Sequence, residues 1–207
     1  MPVPAWFTEV LDREVGRWAT LSPSQISALY AHYELLDRWN QKLSLTSLTP
    51  GPELVVRHYC ESLFLAAQLS AQVQAHIADI GSGAGFPGVP IAILRPDWNV
   101  SLVESNQRKA VFLREATRGL SNVSVVAQRA EELNQGFDWL VARAVDPMEV
   151  VKNVPRLASR VGLLIGESAL DGLKSASSIA WAKPIRLPWG DRRICVLGEF
   201  HVEQGST

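Results

Sequence analysis

Asp79-Ile80-Gly81-Ser82-Gly83-Ala84-Gly85-Phe86-Pro87-Gly88 is the stretch on which the fold turns. It follows directly on the short apolar run Ile77–Ile80 and leads into a helical pattern. Glycines in such a loop permit positive φ angles and let a ligand approach the backbone closely. In an open parallel sheet, ligands bind at the carboxyl ends of the strands, so the loop reads as a small-molecule site. A dinucleotide fingerprint would be G-x-G-x-x-G, with a pyrophosphate on the helix N-terminus. Here the glycines fall as G-x-G-x-G and Phe86 occupies the third position of that fingerprint. A bulky ring there argues against NAD. Asp79, two residues before the first glycine, suits a cationic amino-acid end such as the α-amino group of methionine, held through water or backbone.

Working outward, further apolar runs recur at Val100–Val103, Val123–Val126, Trp139–Ala142, Gly162–Ile165 and Ile194–Leu197. Amphipathic stretches such as Arg108–Gly119 and Pro147–Leu157 lie between several of them. Strand–helix alternation at this spacing predicts βαβ units and a mostly parallel sheet. At the end, Ile185–Leu187 and Arg193–Phe200, joined through Pro188-Trp189-Gly190-Asp191, predict an antiparallel hairpin that closes the sheet. The first seventy residues read as helical instead. Ser22 is a capping residue with Pro23 at the first helical position and Gln25 three residues on. From there Ile26, Leu29, Tyr30, Tyr33, Leu36 and Trp39 recur at helical spacing, and Leu54–Leu69 repeats the pattern after the break at Pro50-Gly51-Pro52. The expected architecture is α/β: a helical N-terminal cap over 1–75, and a Rossmann-like domain over 76–207, together one compact unit.

The 207 residues suffice for one well-buried domain, and 47% hydrophobic with 20% charged residues is ordinary for a soluble globular protein. A formal net charge of −1 gives no global pull toward nucleic acid, although a local basic face is still allowed. Cys60 and Cys195 lie far apart with no metal-ligand spacing, which fits reduced, apolar packing. Met1–Val10 lacks a basic region followed by an apolar run, and no stretch approaches membrane-spanning length. The expectation is a cytoplasmic protein without membrane or metal.

Three more positions fall at strand ends. Glu104, closing Leu102-Val103-Glu104-Ser105-Asn106, is placed to accept both hydroxyls of a ribose, a feature shared by NAD and adenosylmethionine enzymes. Gln128-Arg129-Ala130-Glu131-Glu132 follows the third strand, where an adenine edge would lie. Arg143 sits just past the fourth strand, at the rim of the same crevice. A lone arginine there serves equally well as an ion-pair partner.

These positions in order resemble the class I S-adenosylmethionine-dependent methyltransferases. Arg38–Thr46, Arg57-His58-Tyr59-Cys60-Glu61-Ser62-Leu63, Gly85-Phe86-Pro87-Gly88-Val89-Pro90, Arg108–Glu115 and Ala142-Arg143-Ala144 narrow the resemblance to the RsmG (GidB) family, with a fainter echo at Asp191–Ile194. The resemblance implies methylation of N7 of one guanosine in the decoding-region loop of 16S ribosomal RNA, with S-adenosyl-L-methionine as cofactor and 16S RNA or the 30S subunit as partner. It implies that Gly81, Gly83 and Phe86 line the methionine and adenosine side, that Glu104, Ser105 and Asn106 hold the ribose region, and that Ala130 and Glu131 meet the adenine. Asp79 and Arg143 complete the cofactor set, with Arg143 between cofactor and target base. His58 and Ser62 would belong to the cap near the RNA entrance.

No catalytic base is implied, and a monomer is expected. For the RNA face, nine Lys or Arg between Arg143 and Cys195 stand against five acids, and Arg192-Arg193 beside Trp189 is the strongest candidate. Three departures stand out: Ser44, Glu61, and above all Ile165, where the family reads Leu-Lys-Gly. That last difference keeps open a methyltransferase of the same fold with a small-molecule or protein acceptor; the other alternative, a non-catalytic RNA-binding module, is opposed by the joint presence of Asp79, the glycines and Glu104.

Overall fold

The computed structural model describes residues 2–69, 74–175, 178–190 and 192–201. Met1 and Asp191, both within stretches discussed above, lie outside the described residues. The chain opens with α1 (Ala5–Val15) and α2 (Pro23–Asn40). Then α3 (Pro52–Leu54) runs through a π-helical segment, Val55–Cys60, into α4 (Glu61–Gln68). β1 (His76–Ile80), α5 (Gly88–Leu94), β2 (Asn99–Val103), α6 (Gln107–Ala116) and β3 (Val123–Val126) follow. After them come β4 (Phe137–Arg143), α7 (Pro147–Val151), α8 (Val154–Leu157), β5 (Ala158–Gly166) and α9 (Leu170–Lys174). The last elements are β6 (Ile179–Trp181), β7 (Ile185–Arg186) and β8 (Arg193–Phe200).

The capping chemistry at Ser22 forms as its sequence requires. Its hydroxyl accepts from the Gln25 N–H at 3.2 Å, and the Gln25 side chain accepts from the Ser22 N–H at 2.9 Å. Gln25 also donates to the Ile93 carbonyl at the end of α5, which fastens α2 to the glycine-loop helix.

The sheet runs β3-β2-β1-β4-β5-β8-β6, with β7 also paired to β8. The five strands from β1 to β5 pair in parallel, and β8 pairs antiparallel to β5, β6 and β7. The predicted terminal hairpin is thus present, with Ile185 opposite Cys195. One strand was not anticipated: β6 is three residues long and too short to give a periodic signal. The stretch Pro147–Leu157 is not one helix but two, because Pro155 has no N–H to continue the ladder.

Alternation along the strands divides the core in two. Ile77, Val100, Leu102 and Val141 face α1, α2, α4, α5 and α6, and that layer continues without a break into Phe7, Leu29 and Leu36 of the cap. Ala78, Ile80, Leu140, Ala142 and Leu163 face α7, α8 and α9. A seam joins the two ends of the chain: the Trp189 indole N–H donates to Glu14 of α1 at 2.6 Å, and its ring meets Phe64 of α4 edge-on.

α4 lies on β5 at Gly162, where an added Cβ would sit 3.0 Å from Leu69 Cδ2 and 3.2 Å from Leu65 Cδ1. Valine is a better strand former than glycine, but here packing opposes propensity. Gly162→Val is expected to destabilise by about 1–3 kcal/mol through overpacking. Urea unfolding reads this directly, and stability equal to or above the parent would show that α4 has room to lift.

Candidate functional site

The glycine loop adopts positive φ at Gly81, Gly83 and Gly85, with values of 69°, 57° and 90°. At Gly81 the reason is contact: an added Cβ would lie 2.6 Å from Val145 Cγ1, in the loop after β4. Gly88 is the second close approach, with an added Cβ 2.3 Å from Leu102 Cδ2 and 2.7 Å from Asp79 Oδ2.

Two carboxylates fix the loop from opposite sides. Below it, Asp79 is fully buried, and its Oδ2 accepts from the Gly88 N–H at 3.0 Å. Its Oδ1 has no hydrogen-bond partner among the described residues. Burial pushes the carboxyl up to about 7, the hydrogen bonds from Gly88 and Ser82 oppose the rise, and Glu104 adds to it. Above the loop, Glu104 accepts from the Gly83 N–H at 2.9 Å and from the Asn106 N–H at 2.7 Å. Each carboxylate oxygen keeps a further lone pair for a ligand hydroxyl.

Between the loop and the ends of β2, β3 and β4 lies a cavity of about 310 Å³. Its apolar part comes from Ile80, Val103, Val145 and Val150, and Gly81, Ser105, Ala130 and Glu131, four of the sequence-predicted site residues, line it too. Gln128, Asp146 and Glu149 complete its polar rim. With Glu131, Asp146 and Glu149 against Arg129 alone, the lining carries an excess of carboxylates. Such a lining suits a cationic sulfonium and ammonium and opposes a diphosphate. Arg156, which the sequence did not single out, braces the outer wall by donating to the Ala130 and Leu133 carbonyls. The left-handed Ala144, φ 58°, turns the chain so that Val145 reaches Gly81. Non-glycine residues in that region cluster at functional sites.

Four of the expected cofactor contacts are placed differently. Asp79 is sealed beneath the loop and acts on it through Gly88 rather than on a ligand directly. The Asn106 carbonyl is occupied as the cap of α6, accepting from the Arg108 and Lys109 N–H groups. Phe86 turns away from the cavity into the cap, stacked on His58 at 4.7 Å with Tyr59 and His32 edge-on. Arg143 also turns to the cap. Its guanidinium donates to the Arg57 carbonyl at 3.0 Å and pairs with Glu61 at 3.4 Å.

Glu61 is the feature that sequence reasoning missed. It is 0% exposed and pairs with Arg57 at 3.6 Å, Arg143 at 3.4 Å and Arg193 at 2.7 Å. The signal was there: an acid inside Tyr59-Cys60-Glu61-Ser62-Leu63-Phe64 cannot reach solvent from a helix buried on that face. The π-helical segment, a form concentrated at functional sites, carries both Arg57 and His58. Burial first, then the charges of Arg143, Arg193 and Arg57, push the His58 imidazole down to about 3, so it is neutral at physiological pH. The Thr46 hydroxyl meets its Nε2 at 2.7 Å.

The expected RNA-side residues divide. Ser62 is fully buried, and its hydroxyl donates to the His58 carbonyl, so it cannot touch RNA. His58 is buried against Phe86. Arg193 is committed to Glu61, whereas Arg192 is exposed. Much of the C-terminal basic excess is already paired, as Lys152–Glu149, Lys174–Asp171 and Arg186–Glu167. Ile165 packs in the core facing α9 and presents no polar group. Among the described residues no cluster of His, Cys, Asp and Glu could hold a metal, and no helix is long and apolar enough to cross a membrane.

With this geometry in view, comparison with known proteins is informative. Residues 25–176 match the family model GidB, rRNA small subunit methyltransferase G. Proteins of that name from Desulforamulus reducens and Nitrosomonas europaea are 37% and 42% identical over 139 and 127 residues, covering 63% and 59% of this chain. The chain spans 58% of the length of each of these two. A relative from Nitrosococcus oceani is 34% identical over 179 residues, 81% of this chain and 82% of its own. Among solved structures, a SAM-dependent methyltransferase from Aquifex aeolicus superposes with a TM-score of 0.60 at 12% identity, over 72% of this chain and 93% of that one. Aeropyrum pernix fibrillarin, solved with natively bound S-adenosyl-L-methionine, does so at 0.53 and 16% identity, over 67% and 73%.

Two outcomes test the buried carboxylates. For Asp79, the unfolded carboxyl titrates near 3.8 and the folded one at about 7. Protonated in both states below 3.8, it costs stability increasingly as pH rises through 7. Asp79→Asn removes that dependence. Its stability relative to the parent is expected to rise between pH 4.5 and 8, by up to about 3–4 kcal/mol. Any fixed cost of the amide cancels between the two pH values, and a pH-independent difference would show an Asp79 that titrates normally. Glu61→Gln leaves three guanidinium groups without their counter-charge and is expected to cost about 3–5 kcal/mol in chemical denaturation. A loss below about 1 kcal/mol, the worth of an exposed pair, would mean that solvent already screens the cluster.

Proposed function

The chain belongs to the rRNA small subunit methyltransferase G family, and from that premise we propose that it transfers a methyl group from S-adenosyl-L-methionine to N7 of a guanosine in 16S ribosomal RNA. The observation that supports this reading most directly is the cavity beside the glycine loop, lined by Gly81, Ser105 and Ala130 and rimmed by the carboxylates of Glu131, Asp146 and Glu149. The cofactor would supply an electrophilic methyl on a sulfonium. Gly81, Gly83 and Ser105 would hold its backbone-facing side, Glu104 would accept from its ribose hydroxyls, and Ala130 with Glu131 would border its adenine.

What the remaining residues do follows from the acceptor. Guanine N7 carries an in-plane lone pair and no proton, so no general base has to create the nucleophile. Catalysis then rests on alignment in a dry pocket, which can supply roughly 7–11 kcal/mol. The buried cap contributes there: Phe86, His58 and Tyr59 close the side of the loop against water and carry no exchangeable charge at neutral pH. The target guanine would be presented unstacked, at a cost of about a few kcal/mol if it has to be flipped. The substrate would be 16S RNA or the assembled 30S particle, met in the cytoplasm by a monomer.

The direct test is tritiated methyl transfer from S-adenosyl-L-methionine to 16S RNA, naked and as 30S particles lacking N7-methylguanosine, with nucleoside analysis of the product. Label in N7-methylguanosine at one site is expected; label in no RNA would overturn the assignment of the acceptor. For the cofactor side, Glu104→Ala is expected to weaken adenosylmethionine binding at least about tenfold, because a bound hydrogen-bonding carboxylate contributes about 1.5–3 kcal/mol. Titration calorimetry with an unchanged Kd would remove the ribose role.

A further inference from the structure

A second concavity lies apart from the one beside the glycine loop, a groove of about 1000 Å³ between α2 and α6. Five cations line it, Arg38, Lys42, Arg108, Arg114 and Arg118, against the single acid Glu115. Glu115 is spent on Arg118 at 2.8 Å. Arg38, Lys42, Arg108 and Arg114 form no ion pair among the described residues, and all four are exposed. That contrasts with the paired lysines and arginines of the C-terminal segment, in a chain whose formal net charge is −1.

The floor of the groove is apolar. Trp39 is half-buried with its ring against Phe112 at 5.7 Å, and Val111 is 51% exposed. Unpaired cations beside an aromatic face are the arrangement that takes single-stranded nucleic acid, through phosphates and base stacking.

The groove also leads to the site. Arg108 lies in the first turn of α6, three residues after Ser105, which lines the cofactor cavity. At the end of α2, Asn40 accepts from the Leu45 and Thr46 N–H groups, and Thr46 meets His58 on Phe86. α6 extends about 15 Å from that junction, at 1.5 Å per residue over its ten residues.

We propose that the α2–α6 groove is a phosphate track for the single strand of RNA flanking the target base, with Arg38, Lys42, Arg108 and Arg114 as its phosphate contacts. The proposal deepens the RNA-methyltransferase reading and rests on it for the identity of the strand. It moves the RNA face from the Arg192-Arg193 turn, half of which is bound to Glu61, to the opposite flank of the cofactor cavity.

The test compares two charge-reversed variants of the full chain. One carries Arg38→Glu, Lys42→Glu and Arg114→Glu in the groove. The other carries Arg17→Glu, Lys174→Glu and Lys183→Glu, also exposed but away from it. Both keep the same net charge, and thermal unfolding verifies that both fold. Binding of 16S RNA is measured against salt by filter retention, with methyl transfer and adenosylmethionine affinity alongside. In the groove variant the slope of log affinity against log salt is expected to flatten by about 2, three phosphates at about 0.7 each. KM for RNA should rise about tenfold or more, with kcat and adenosylmethionine Kd within about twofold, as for contacts that position rather than react. A groove variant indistinguishable from the control overturns the track. So does a parent protein that binds phosphatidylglycerol vesicles but not RNA. If the parent binds RNA with a groove-dependent slope yet transfers no methyl to it, the track stands and the assigned activity falls.

Discussion

The molecule is held together at one buried carboxylate. Glu61 lies in the first turn of α4 and meets guanidinium groups from three separate parts of the chain: its own helix, the end of β4 and the start of β8. Removing a charge from water is costly, and the cost is recovered only when partners surround it with good geometry. That requirement fixes where the cap sits on the sheet. With α4 placed, His58 and Tyr59 can reach Phe86, and through Phe86 the cap grips the glycine loop. The cap therefore braces the glycine loop from the side away from the cavity.

The glycine loop is shaped by two acids with different tasks. Asp79, dry and raised in pKa, holds the loop to the start of α5 from inside the core. Glu104 holds Gly83 and the start of α6 from the other side, through the Gly83 and Asn106 N–H groups. The two acids thus fix different parts of the loop, one at its far end and one at its middle. Val145, brought over by the left-handed Ala144, completes the enclosure by occupying the space a side chain on Gly81 would need.

The layout of the sheet was legible because fully buried parallel strands read as short apolar runs, and five of them fall where the runs do. The capped start of α2 was legible for a local reason: Ser22, Pro23 and Gln25 carry that instruction by themselves. Side-chain direction was not. Phe86 follows directly on a run of left-handed glycines, so its neighbours in sequence give no hint of which way its ring points. The Arg192-Arg193 pair looked like one basic patch, yet Arg192 is an exposed turn residue with φ 58°, while Arg193 opens β8 and pairs with the buried Glu61. Arg143 was placed on the correct strand end, but its partner lies 82 residues away and could not be inferred from spacing.

The order in which a ribosome delivers this chain gives the seam between its ends a temporal meaning. α1, α2 and α4, carrying Glu14 and Glu61, emerge well before their partners, since Trp189 lies 175 residues beyond Glu14 and Arg193 lies 132 beyond Glu61. Until they clear the exit tunnel, Glu61 lacks its shortest ion pair and the cap lacks its clasp. Contacts of such long sequence separation form late and slowly. The parallel strands are thus made before the helical cap can latch onto the sheet, and the cap settles only once β8 is in place.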